Sequence, residues 1–102
     1  MPENENPFEK MEELICHKYC ISVLRELLEK SEGVGFNALL KKIIPITPRV
    51  LSMRLKELEA KKLIQKNLVL GTKPHIEYRA LPKAEGLKRA ISELEKWGRK
   101  EL

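Results

Sequence analysis

The stretch PITPRVLSMRLKEL, residues 45–58, sets two arginines, a serine, a methionine and a lysine among leucines at helical spacing. At 100° per residue, Leu51, Leu55 and Leu58 fall within about 60° of one another and make one stripe. Arg49, Ser52, Met53 and Lys56 then point the other way. Each of the four suits a DNA groove. Arginine or lysine donates to guanine acceptors, serine bonds a base edge, and methionine packs on a thymine methyl. Glu57 and Glu59 come late, so the N-terminal half is the cationic half, as insertion of that end into a groove requires. Arg54 lies on the flank, within reach of a phosphate or of a carboxylate at the core edge.

A second constellation is Cys16, His17 and Cys20. A structural zinc site takes about four ligands, and the only other histidine, His75, lies far along the chain. The i, i+4 spacing puts both sulfurs on one helical face, where small buried thiols are common. Buried structural cysteines are the expectation, with a thiol-based sensor as the rival. No Gly-rich phosphate loop or cluster of metal-ligating residues appears, and candidate bases for a nucleophile are few. The sequence therefore assigns no catalytic residue, metal or cofactor and specifies no small-molecule effector.

Charge is unevenly placed along the 102 residues. Residues 1–32 hold four Lys/Arg against eight Glu, a balance of −4. Residues 33–83 hold eleven against three, or +8, and residues 84–102 hold five against four, or +1. A basic middle between acidic or neutral flanks is the footprint expected for a polyanion partner, against the blander reading of a solvated basic surface. Lys41, Lys42, Thr47, Lys66, Lys73, His75 and Arg79, together with Arg54, are the candidates for contacts to a DNA backbone. No apolar run approaches the ~20 residues that span a bilayer, and the acidic, polar start MPENENPFEK does not resemble a secretory signal. A cytoplasmic protein without a membrane partner is the expectation.

The elements that must position these residues are legible in outline. Asn6 can cap a helix opened by Pro7, with Glu9 at capping-box spacing. Apolar residues then recur helically to Leu28, and one long helix or two abutting ones are both compatible with residues 8–32. Gly33 and Gly35 end the run, and Val34 to Phe36 suit a short strand or a turn. FNALLKKI, 36–43, is a short amphipathic helix stopped by Pro45. Thr47 and Pro48 restart helix as cap and first residue, to about Lys62. Two short helices joined by a tight turn make a helix-turn-helix. IQKNLVL and HIEYRAL, either side of GTKP, read as a β-hairpin over about 64–81. From Pro82 the chain is helical again, with Leu87, Ile91, Leu94 and Trp97 on a stripe about 120° wide. One small domain has little core to cover every such stripe. The expectation is that Phe8, Met11, Leu14 and Ile15, with Leu87, Ile91, Leu94 and Trp97, form a homodimer surface, against a last helix that folds back on its own domain.

The run FNALLKKIIPITPRVLSMRLKELEAKKLIQKNLVLGTKPHIEYRAL resembles the DNA-binding domain of HxlR-type transcriptional regulators. The family pattern, from R/K-F-N-E-L through I-S/T-P-R-V-L-S-x-R-L-K-E-L-E to V-E-Y-x-L, is followed almost position by position. KYCISVLRELLE at 18–29 resembles the family's K-W-T-x-x-I-L-R-x-L helix. The resemblance covers about residues 18–82, and TPRVLSMRL is its most specific piece. It implies a winged helix-turn-helix repressor or activator that binds double-stranded DNA and dimerises through its terminal helices. Three departures stand out. The sensing cysteine of many members falls upstream of residue 10, where this chain has none. Tyr19 replaces the family's tryptophan, and LPKAEG replaces the T-P-x-G that opens its last helix.

Together these readings give a mainly α fold with a small β-hairpin, a winged helix-turn-helix with flanking dimerisation helices. Residues 1–7 are expected to form an N-terminal tail and 8–102 a single domain, with 18–82 as DNA-binding core and 83–102 as dimerisation helix. The recognition helix, about 47–62, would enter the major groove and the wing would lie on the backbone or minor groove. A winged-helix protein–protein adaptor is the alternative that reuses the fold without DNA.

Overall fold

The computed structural model describes residues 6–102. The first five residues of the expected tail lie outside the described residues. Helix α1 (Pro7–Cys16) opens with Asn6, whose side chain accepts from the Phe8 amide at 2.9 Å. The chain then breaks at residues 17–19 and resumes as α2 (Cys20–Glu29). Tyr19 makes the break, in the left-handed region at φ 73°, so the question of one helix or two resolves as two.

After α2, Gly33 turns the chain at φ +102°, where a side chain would also collide with the Glu77 carboxylate. The short strand β1 (Val34–Gly35) leads into α3 (Phe36–Lys42). A turn anchored by buried Ile43 and Ile46 follows, closed by an Ile46 amide to Ile43 carbonyl bond of 2.7 Å. Helix α4 (Pro48–Ala60) begins at Thr47, whose hydroxyl accepts from the Val50 amide at 3.2 Å. It ends at Ala60; Lys62, left-handed at φ 60°, turns the chain away, and the Leu63 amide closes back on the Leu58 carbonyl at 3.0 Å.

Strands β2 (Ile64–Val69) and β3 (His75–Ala80) form the antiparallel hairpin, with Ile64 opposite Ala80 and Val69 opposite His75. β1 joins the other edge of β3, Val34 opposite Tyr78, so the sheet order is β1-β3-β2. The expected final helix is in two pieces, α5 (Pro82–Glu85) and α6 (Leu87–Glu101).

One core joins these elements. Val23, Leu24 and Leu27 of α2 meet Leu39 of α3, the Leu51, Leu55 and Leu58 stripe of α4, Ile64 and Tyr78 of the sheet, and Ile91 of α6. Burying a leucine of this kind is worth about 1.5–3 kcal/mol, so the α4 stripe fixes which way that helix faces. The architecture is that of a winged helix, mainly α with a small β wing.

Candidate nucleic-acid interface

With Leu51, Leu55 and Leu58 at 2 % exposure or less, the far side of α4 has no choice but solvent. Arg49, Ser52, Met53 and Lys56 are all exposed there, on the face opposite the core. Thr47, at the cap, is exposed too, as are Lys41 and Lys42 at the end of α3. The two helices and their turn therefore present one cationic and hydrogen-bonding edge.

Arg54 has a different role from its neighbours. Its Nε donates to the Lys18 carbonyl at 2.7 Å, and its Nη1 donates to Glu57 Oε1 at 2.8 Å. Only 14 % of its side chain is exposed. Of the two partners expected for Arg54, the structure shows the core-edge carboxylate, reached through Nη1. Glu57 is bonded on its second oxygen by His17 Nδ1 at 2.9 Å. Burial pushes the Glu57 carboxyl up, but the His17 hydrogen bond and the Arg54 charge outweigh it and hold the carboxyl below its ordinary value. Lys61 Nζ reaches Glu13 of α1 at 3.4 Å. Arg54 and Glu57 of α4 thus clasp the α1–α2 junction where Tyr19 breaks the helix, and Lys61 just after α4 reaches α1 itself. The pattern-based reading missed the Lys18 and His17 partners, since neither has a sequence signal pointing to residue 54 or 57.

The cysteine expectation needs correction. Cys20 is buried, but Cys16 is exposed, because the break at 17–19 takes the two out of one continuous helix. Burial, then the Glu57 charge, push the Cys20 thiol up, which disfavours the reactive thiolate. Among the described residues no group of three or more His, Cys, Asp or Glu is arranged to hold a metal. No helix there is long and apolar enough to cross a membrane.

On the wing, Lys66, Lys73, His75 and Arg79 are exposed. Arg79 makes a long bond of 3.4 Å to the Glu32 carbonyl. His75 is held at both ring nitrogens, by the Lys73 carbonyl and by Glu77 Oε2, each at 2.9 Å. Both partners accept, so both contacts are satisfied only by the imidazolium, and they raise the His75 pKa above its ordinary value.

The expected dimer residues divide. Leu14 and Ile91 are buried in the chain's own core, and Leu87 packs against it. α6 packs on α2, where Arg25 Nε meets Glu95 Oε1 at 2.8 Å. The remaining five stay outside. Phe8, Met11 and Ile15 of α1 and Leu94 and Trp97 of α6 are 47–63 % exposed.

The model of HxlR-like helix-turn-helix proteins matches residues 14–102. The chain belongs to this HxlR-like family. Among relatives, the HTH-type transcriptional regulator YdzF of Bacillus subtilis, itself uncharacterised, is 37 % identical over 94 residues, covering 90 % of this chain and 84 % of that protein. A protein of Porphyromonas gingivalis W83 assigned to the MarR family of transcriptional regulators superposes with a TM-score of 0.86. It is 24 % identical and covers 100 % of this chain and 98 % of its own. The redox regulator HypR in its oxidised form superposes at 0.85 with 22 % identity, over 95 % of this chain and 98 % of its own. These two structures share the winged-helix fold. The HxlR-like match also extends beyond the stretch of clearest resemblance, through α6 to the last residue.

Proposed function

We propose that this HxlR-like regulator is a homodimer that binds double-stranded DNA sequence-specifically. Helix α4 enters the major groove, and the β2–β3 wing lies on the backbone or minor groove. The observation that carries the reading is the division of α4. Its leucines are spent on the core, its flanking Arg54 is spent on the α1–α2 junction, and Arg49, Ser52, Met53 and Lys56 are left together on the outward face. Those four are the base-contacting residues in this reading. Lys41, Lys42, Thr47, Lys66, Lys73, His75 and Arg79 contact the backbone. The exposed apolar side chains of α1 and α6 cover one another across a two-fold axis, so that two recognition helices address two half-sites. No step of this work calls for catalysis.

Selection of bound fragments from the source genome by the purified protein tests the reading, followed by titration of the recovered site at several salt concentrations. Affinity should fall steeply with salt, because each phosphate neutralised releases a counterion. The selected site should out-compete random duplex by about a thousandfold or more. Binding that recovers no enriched sequence would sink the sequence-specific part. A protein with no salt-dependent binding to duplex would favour the adaptor reading instead.

A further inference from the structure

The outer half of the wing carries an apolar surface that the fold does not need. Pairing puts Ile64 with Ala80, Lys66 with Tyr78 and Leu68 with Ile76, and the two-residue period places these pairs on one face of the ribbon. The inner end of that face is core, with Ile64 and Tyr78 buried. Its outer end is bare: Leu68 is 64 % exposed, Ile76 41 %, and Leu70 at the tip 76 %. A ribbon that had only to stay in water would place polar side chains there.

Gly71, next to Leu70, adds a second observation. Its backbone is outside the positive-φ region, and a Cβ added to it would meet nothing within 4 Å. Neither conformation nor internal packing therefore requires glycine at this position. The missing side chain leaves the backbone beside Leu70 open to close approach by another surface.

The charges around the patch select the surface. Lys66 shares the apolar face, Lys73 sits beside the tip, and His75 and Arg79 line the ribbon's other face. The nearby acidic group, Glu77, is occupied by His75. An apolar centre with a cationic rim is the complement of a duplex minor groove, where deoxyribose walls lie between two rows of phosphates.

We propose that Leu70, backed by Leu68 and Ile76, packs into the DNA minor groove, with Gly71 allowing the tip to approach the sugars closely. This rests on the DNA-binding reading above and adds apolar groove contact to what a cationic wing would do. The contact favours steps that widen or unstack easily, so it contributes specificity without hydrogen bonds to bases.

The test compares wild type, Leu70→Ser, Gly71→Ala and Lys73→Ala on one genome-selected fragment, by salt-titrated binding and by hydroxyl-radical cleavage of the sugars. Leu70→Ser should lower affinity about fivefold or more with an unchanged salt slope, since apolar burial is lost and no counterion is involved. Gly71→Ala should also weaken binding while leaving the Tm of the free protein unchanged or higher, because the added methyl meets no protein atom. Lys73→Ala should lower the slope by about one unit. Sugars protected by wild type at the wing position should be cleaved again with Leu70→Ser. Full protection and affinity with Leu70→Ser would overturn this inference alone. A wild type that protects no fragment at low salt overturns the DNA-binding reading and this inference together. A loss of self-association in Leu70→Ser without DNA would assign the patch to a second copy, and would also overturn it.

Discussion

The outward face of α4 and the outward faces of α1 and α6 are comparably open to solvent but chemically opposite. The first presents Arg49, Ser52 and Lys56, groups that water satisfies, around a single exposed apolar side chain, Met53. The second presents Phe8, Met11, Ile15, Leu94 and Trp97, whose large apolar areas are unfavourable in water until covered. The contrast separates two kinds of partner. A donor-rich face can wait for an intermittent polyanion, whereas an apolar face of this size calls for a lasting companion. The same contrast explains why α6 is only half committed to its own domain. Ile91 and the Arg25–Glu95 pair fasten one side to α2, and the next side of the helix is left bare.

The largest effect should come from breaking the apolar side. Leu94→Glu with Trp97→Glu would place charges on the face proposed to pack against a second copy, and each unpaired buried charge costs several kcal/mol. The dimer should dissociate, and DNA affinity should fall by orders of magnitude as each chain keeps one half-site. Both residues are more than half exposed in the single chain, so its helix content should survive. Ile91→Glu is the contrasting variant. It charges a 6 % exposed core position and should unfold the domain rather than split the pair. Sedimentation and circular dichroism distinguish the two. A wild type that sediments as an 11.8 kDa species at micromolar concentration would contradict the dimer.

Next in size is the clasp behind α4. Arg54→Ala removes two hydrogen bonds involving charged groups at a mostly covered site and leaves the Lys18 carbonyl unpaired. The expected loss is about 2–3 kcal/mol of unfolding free energy, read from denaturant midpoints. Arg49→Ala, one helical face away, should change stability by less than about 0.5 kcal/mol. Equal losses for the two arginines would erase the distinction drawn between them.

How far these differences were legible follows from where their causes lie. Caps and stripes are local, so Asn6, Thr47, Pro48 and the α4 leucines announced their helices and the outward face of Arg49. The breaks were not local. Tyr19 and Lys62 adopt positive φ without being glycine, so no residue type marked the α1–α2 junction or the end of α4 two residues short of Lys62. At the junction the holding contacts come from residues 54 and 57, some 36 to 40 positions away. The misplaced Cys16 follows from that same unseen break. Leu14 and Ile91 looked like Phe8 and Leu94 because periodicity shows that a face is apolar, not which body will cover it.

The third prediction sharpens the donor-rich face itself. Arg49 occupies the second residue of α4, beside the Thr47 cap and opposite the core. If it bonds guanine, Arg49→Ala should cost about 1–3 kcal/mol on the selected site and much less on random duplex. Equal losses on both would reassign Arg49 to phosphate.

The smallest effect belongs to His75, where the wing's charge can be varied without changing its sequence. The Lys73 carbonyl and the Glu77 carboxylate both favour the protonated ring, so its pKa in the folded wing lies above the ordinary value. The sign follows directly. The extra positive charge, and any ordering of the tip it brings, is fully present below the ordinary histidine pKa and is lost as pH rises through the raised one. DNA affinity should therefore decline modestly as pH rises from below the ordinary histidine value through the raised one, with the salt slope shrinking by less than one unit. His75→Gln should flatten that decline. His17, which bonds Glu57 behind α4 rather than facing the wing, provides the comparison, and His17→Gln should leave the decline in place. A pH profile that follows His17 and ignores His75 would move the titrating contact from the wing to the clasp.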